Sequence, residues 1–249
     1  MQELVPGVTW LNECYDMGDR HEHVSVYLLT EPATERSVLV DTGSFVHREA
    51  ITEQVERGAP AGLDALVLSH SDYPHSANVD RFAPEGSDVK LVASSTSPLA
   101  QGLPRDATRV SIGETLAVAG RDLTFIDPPL ADRSHTTWVY DHQTRGLFVA
   151  DGFGSYHQDG ECAMTSRDFP EGIPEKAIHD FHAETLTWLQ YVDPEKLRRA
   201  LDAIVDAYPP AYVAPIHGHP ILEADLEGYL ERLVGAARKI SGAEGGAQL

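Results

Sequence analysis

Apolar positions along this chain fall into short runs separated by turn-forming residues, with stretches of helical spacing between them. The runs at 8–11, 24–29 and 37–40 alternate or are β-branched, which predicts successive strands. The polar stretch 15–23 between the first two, carrying His21 and His23, reads as a surface loop. At 47–57 the spacing of Ile51 and Val55 suits a helix, closed by Gly58 and Pro60. An apolar run at 63–68, a short helix at 78–82 and a strand at 89–93 follow. Between 108 and 125, two β-rich runs broken by Gly113 and Gly120 predict a hairpin. Strands are expected at 138–141 and 147–150, then helices at 175–191 and 194–208, the second capped by Asp193 with Pro194 in its first turn. A last strand at 211–216 leads to a closing helix at 222–240, and the Gly/Ala-rich segment 241–249 is expected to fray. No low-complexity linker divides this order, which predicts a single α/β domain over 1–240.

Candidate chemistry sits at the ends of these strands. The run 63–68 opens into Ser69-His70-Ser71-Asp72-Tyr73-Pro74-His75, so two histidines and a carboxylate fall on a loop at a buried strand's end. Spaced His-x-Asp-x-x-His, they converge only through a tight turn, and Pro74 sits where that turn would be. Three ligand types in six residues fit a metal site or a hydrogen-bonded polar loop. Asp41 follows 38–40, Asp151 follows 147–150, His217 follows 213–216, and Asp132 and His135 come after Phe125 and Ile126. Repeated at several strand ends, such residues imply a shared rim where loops converge. His157, His179 and His182 read as packing or surface residues, and His219 as shaping the turn after His217. Trp138, Tyr140, Phe153, Trp188 and Tyr191 are expected in the core.

Charge narrows the partners. With 39 acidic against 19 basic side chains the net charge is −20, which argues against nucleic acid, because phosphate binding draws on surplus Lys and Arg. No apolar run is long enough to cross a bilayer, and no basic segment followed by an apolar one opens the chain, so no membrane partner is expected. Cys14 and Cys162 are the only cysteines. A chain of 249 residues needs no disulfide to stabilise its core, so free thiols in a reducing, cytoplasmic compartment are expected.

Taken in order, the segment 38–43 (VLVDTG), the His70 motif, Asp151 and Pro215-Ile216-His217-Gly218 resemble the metallo-β-lactamase superfamily. That resemblance implies an αββα sandwich, two mixed sheets packed together with helices on the outer faces. Within the superfamily, the segment 147–154 (LFVADGFG) is similar to the flavodiiron and oxygen-binding diiron branch, as is a carboxylate at Asp72 where hydrolases usually carry histidine. The resemblance implies His70 and Asp72 on a first metal, Asp151 between two metals, and His75 and His217 on the second. Asp41 resembles the aspartate that orients the motif loop from behind without binding metal. Pro74 stands where the family usually has an aspartate, leaving the second metal three protein ligands and implying that it is weak or absent. The family's middle histidine aligns without a gap on Asp132, with His135 three residues later; imidazole's affinity favours His135.

Two function classes follow. A dinuclear centre rich in carboxylate favours iron, with zinc or manganese as alternatives, and implies a non-haem protein that binds or reduces dioxygen. Its electrons are expected from a redox partner protein or from a small-molecule substrate. The alternative is a metal-dependent hydrolase of a thioester, ester, lactone or phosphodiester. A homodimer is the commonest closed assembly.

Overall fold

The structure is a computed structural model in which residues 1–95 and 107–242 are described; most of the expected frayed tail, 243–249, lies outside them. The first sheet runs in chain order through β1 (Gln2–Val5), β2 (Val8–Asp16), β3 (His21–Thr30), β4 (Ser37–Val40), β5 (Ala65–Val67), β6 (Lys90–Ser94) and β7 (Thr108–Val110). It is antiparallel as far as β4 and parallel from β4 to β7. The second sheet comprises β8 (Thr115–Val118), β9 (Arg121–Ile126), β10 (Trp138–Asp141), β11 (Gly146–Phe148), β12 (Tyr212–Ala214) and β13 (Ile221–Leu222). Only its β11–β12 pair is parallel.

The period of two along each strand builds three apolar layers. Val38 and Val40 point between the sheets, where they join Tyr27, Val67, Phe125 and Phe148, while Leu39 faces outward into the cluster of Ile51 and Val55 of α1 (Arg48–Gly58) and Phe82 of the short α2 (Val79–Phe82). On the second sheet Phe148 faces inward, whereas Leu147 and Val149 pack outward with Ile178, Leu201 and Leu233. Those three lie on α3 (Glu175–Thr185), α4 (Pro194–Ala207) and α5 (Leu226–Ile240). Buried on both faces, the short parallel strands read as continuous apolar runs. The expected αββα sandwich is the architecture found.

Four local readings change. The surface loop expected at 15–23 is shorter: β2 continues to Asp16 and β3 begins at His21, so only 17–20 turn at the surface, and Cys14 lies opposite His23 in the ladder. Its polar residues misled because alternating polar positions on a strand look like loop when a second segment covers them. Here that segment is the chain around His157, which exchanges backbone hydrogen bonds with His21. Second, 108–125 is split between sheets: β7 joins the first, and only β8 and β9 form a hairpin. Third, α3 stops at Thr185 and passes into a 3-10 turn, Thr187–Tyr191, that leaves Tyr191 84% exposed. Fourth, Cys14 and Cys162 are not free thiols but a disulfide, 148 residues apart. The closeness of the hairpin to the chain after Asp151 creates that pair, and the thiol argument for a reducing compartment falls with it. Among the described residues no helix is long and apolar enough to cross a membrane.

Candidate metal centre

Strand ends set the rim. Asp41 follows β4, Ser69 and His70 follow β5, Asp151 follows β11 and His217 follows β12, all at C-terminal ends of strands in parallel pairs. Asp41 and Ala150 hold φ of 59° and 49°, left-handed values that L residues adopt rarely, so the chain turns sharply at both points. Beyond Asp151, a Cβ on Gly154 would stand 2.0 Å from the Phe181 ring, and one on Gly218 would stand 2.9 Å from the Phe153 carbonyl oxygen. Close backbone packing between these two loops therefore fixes Asp151 against His217.

Asp41 ties down the motif loop. Its Oδ1 accepts from the Ser69 backbone N–H (2.8 Å), and its Oδ2 accepts from Ser69 Oγ (2.7 Å) and His75 Nδ1 (2.9 Å). Thr42 binds the His75 carbonyl through N–H and hydroxyl, and the Asn78 amide donates to the carbonyls of Thr42 and Ser44. The Tyr73–Pro74 peptide is cis. With Nδ1 taken by Asp41, His75 directs Nε2 at Asp151 Oδ1, 3.2 Å away. His217 is arranged alike: Nδ1 donates to the His23 carbonyl (2.7 Å) beside Glu22 Oε1 (2.9 Å), and Nε2 lies 3.1 Å from Asp151 Oδ1.

The other Asp151 oxygen faces a different group. Oδ2 lies 3.5 Å from His70 Nε2, which also stands 3.6 Å from Asp132 Oδ2. Potential ligand atoms of His70, Asp72 and Asp132 lie within 4.8 Å of one another, as do those of His70, His75 and Asp151. The structure thus brings together His70, Asp72, His75, Asp132, Asp151 and His217, with Asp41 behind them. His135 belongs to neither of these groups. That ring is centred 6.0 Å from the His70 ring, and its buried Nε2 has no hydrogen-bond partner among the described residues. Thr136 Oγ1 donating to Asp132 Oδ1 (2.8 Å), and Thr137 N–H donating to the Ser69 carbonyl (2.9 Å), hold the loop with Asp132 inward.

Two contributors escaped the sequence reading. Arg133 reaches Asp72 Oδ2 (2.6 Å) and approaches Asp132 (3.5 Å), placing a fixed cation beside the carboxylates. Glu22 lies in the stretch read as loop. The site opens into a cavity of about 360 Å³ bordered by Tyr15, Glu22, Tyr73, Arg133 and Thr185, room for a small molecule.

The groups polarise one another. Burial alone pushes Asp151 up, yet His75 and His217 hold it well below the usual carboxylate range. Burial opposes charge on His75, but Asp151 and Asp41 raise it to about 10; burial opposes charge on His217, but Asp151 and Glu22 raise it to about 9. Burial and the neighbouring His75 drive His70 well below its ordinary value. Burial and Asp151 lift Asp132 to about 6. Imidazoles whose far nitrogen is anchored on a carboxylate or carbonyl, converging on a carboxylate, form a donor set that fits a divalent metal pair.

Comparison with known proteins agrees in fold. A family model described as the metallo-beta-lactamase superfamily matches residues 20–192. A Thermosynechococcus vestitus protein named diflavin flavoprotein A 1 is 26% identical over 236 residues, covering 89% of this chain and 38% of the relative; the chain spans well under half of that protein's length. The flavodiiron protein of Giardia intestinalis superposes with a TM-score of 0.75 at 16% identity, over 96% of this chain and 59% of that one. The chemotaxis sensor ODP, solved as a peroxy diiron species, superposes with a TM-score of 0.65 at 19% identity, over 91% of this chain and 94% of that one.

Proposed function

The chain belongs to the metallo-β-lactamase superfamily, and on that premise we propose that it carries a non-haem dinuclear centre, iron in preference, that binds or uses dioxygen. The observation that carries this reading is the division of Asp151: Oδ1 faces His75 and His217, and Oδ2 faces His70. A carboxylate so placed offsets the repulsion between two cations. His70, Asp72 and Asp132 would hold one ion, His75 and His217 the other, with Asp151 shared. In this reading Asp132 replaces His135, the residue that imidazole's affinity favoured, because Asp132 Oδ2 stands 3.6 Å from His70 Nε2.

A carboxylate-rich set favours a hard, redox-capable ion over zinc. Iron bound there would supply the electron-transfer chemistry that dioxygen requires. The protein's own part is to fix the imidazoles through Asp41, Glu22 and the His23 carbonyl, and to keep both faces of Asp151 engaged. Tyr15 and Tyr73 border the small cavity, which suits dioxygen or a compact substrate. The electrons come from a partner protein or from that substrate.

Elemental analysis of aerobically and anaerobically prepared protein, with spectra before and after oxygen exposure, tests the reading. Two irons per chain and an oxygen-dependent charge-transfer band are expected. Stoichiometric zinc without iron or such a band would overturn it in favour of a hydrolase, in which the metal activates water. Asp132→Asn and His135→Gln decide the remaining ligand: the first is expected to remove one metal equivalent and the second to leave both.

A further inference from the structure

Outside this centre the fold assembles a second group of ligand-type side chains. Cys14 on β2 lies opposite His23 on β3, and the loop after Asp151 lays His157 and Cys162 over them. One potential ligand atom from each of the four lies within 4.8 Å of the other three. His157 Nε2 stands 3.4 Å from Cys14 Sγ, and the His23 and His157 rings stack at 3.9 Å. Tetrahedral zinc, with bonds of roughly 2.0 Å to nitrogen and 2.3 Å to sulfur, sets its ligands about 3.3–3.8 Å apart. The spacing is close to what one ion needs.

Both histidines are prepared for ligation. His23 is fully buried; its Nε2–H donates to the Cys162 carbonyl (3.0 Å), which leaves a lone pair on Nδ1, and that atom has no partner among the described residues. A ring nitrogen anchored on a backbone carbonyl with the other left free is how metal-binding histidines are commonly oriented. His157 Nδ1 is likewise buried without a partner among the described residues. A cavity of about 330 Å³, bordered by His157, Glu161 and His219, gives a cation access.

We propose that Cys14, His23, His157 and Cys162 form a zinc-type cation site that opens when their disulfide is reduced and closes when it re-forms. In the structure the two sulfurs are bonded to each other. A dithiol reductant opens the pair: one of its thiolates attacks a sulfur, the Cys14–Cys162 bond breaks, and the second thiol resolves the mixed disulfide. The reductant leaves as a cyclic disulfide, and two protein thiols remain. Zinc then displaces their two protons and binds two thiolates and two imidazoles. A peroxide reverses the change: two thiolates give up two electrons and form the disulfide, two protons and the peroxide become two waters, and zinc leaves without a redox change. Two thiolates with two imidazoles select zinc over the harder ions suited to the carboxylate centre. His23 joins the two sites, because its ring lies in this one while its carbonyl accepts from His217 Nδ1.

Cobalt(II) is the probe, since thiolate-to-cobalt charge transfer comes only from a sulfur site. Metal-stripped full-length protein, either oxidised or reduced with a phosphine under anaerobic conditions, is titrated with cobalt(II) and then with zinc. The reduced protein is expected to develop a thiolate–cobalt band whose final intensity corresponds to one sulfur-bound cobalt per chain and which zinc erases; the oxidised protein is expected to show none. His23→Gln and His157→Gln keep both thiols and should weaken the band's binding by at least about 10–100-fold, the range that even supporting partners of a ligand are worth. Two titratable thiols without a cobalt band would overturn the proposal. So would a band of equal affinity in both glutamine variants, or one in the oxidised protein. The comparison of oxidised with reduced wild type stands without any variant.

Discussion

The two sides of Asp151 are built on opposite plans. On the Oδ1 side, His75 and His217 are buried imidazoles whose far nitrogens are anchored, one on Asp41 and the other on the His23 carbonyl and Glu22. On the Oδ2 side, His70 has two carboxylates for company, Asp72 and Asp132, and Arg133 binds one and approaches the other. The first side has few donors, each anchored on a buried or partly buried group; the second has more donors, held by a half-exposed arginine. Pro74 made the His75–His217 side look weak by count of ligands. Its preset orientation works in the opposite direction, because ligands already in place lose less freedom on binding.

Breaking the comparison altogether takes the residue both sides share. Asp151→Asn removes the charge that faces all three imidazoles, and it is expected to abolish both metal equivalents. Elemental analysis together with the visible spectrum checks this. Retention of one equivalent in Asp151→Asn would show that the sides bind independently.

Asp41→Ala should break one side and spare the other. It leaves the Ser69 N–H and hydroxyl without their carboxylate and frees His75 Nδ1. The loss of a ligand's anchoring partner costs about 10–100-fold in metal affinity, so one equivalent weakens while the other holds. Buried donors left unpaired cost about 1–3 kcal/mol each, and with three donors losing Asp41, denaturant unfolding of the metal-free protein should show a loss of about 3 kcal/mol or more.

How much of this was legible follows from the kind of signal each residue gives. Asp41, His70, Asp151 and His217 each end an apolar run, so strand periodicity placed them at one rim. That Asp132 rather than His135 approaches His70 was not legible, because it depends on Thr136 and Thr137 hydrogen bonds formed after folding. Glu22 and His23 lay in a stretch whose alternating polar residues imitate a loop, and only the chain around His157 folding over the hairpin shows otherwise. A disulfide spanning 148 residues has no local signature at all. Layer order was readable because each strand's period reports its own two faces; strand extent was not, because polar burial is decided by distant segments.

Acidity should separate the sides next. In the metal-free protein His75, raised to about 10, and His217, raised to about 9, both hold protons at pH 7. A metal binds only the deprotonated rings, so its binding there must expel two protons, and affinity rises with pH until those values are passed. Linkage sets the slope at about tenfold per pH unit for each proton expelled, or roughly 100-fold per unit near pH 7. His70 is already neutral, and Asp132, raised to about 6, holds a proton mainly below pH 6. The Oδ2 side should therefore be nearly flat at pH 7–8 and weaken only in acid. Calorimetric titrations in buffers of different ionisation enthalpy count the protons; equal release from both equivalents would erase the distinction.

The smallest effect is expected at Arg133, and it tests whether the Oδ2 side is held back by its own cation. The guanidinium pairs with Asp72 at 2.6 Å while its side chain is 54% exposed. Solvent screens such a pair to about 1 kcal/mol or less, which is at most about fivefold in affinity. If Arg133 competes with metal for Asp72 and Asp132, Arg133→Gln tightens one equivalent by a few-fold. The gain should shrink at high salt, where the guanidinium is already screened, and the equivalent on His75 and His217 should not move. If Arg133 instead serves to hold Asp72 in place, the same change loosens that equivalent at every salt concentration. The sign of one small shift, read at two ionic strengths, therefore distinguishes a competing cation from a positioning one.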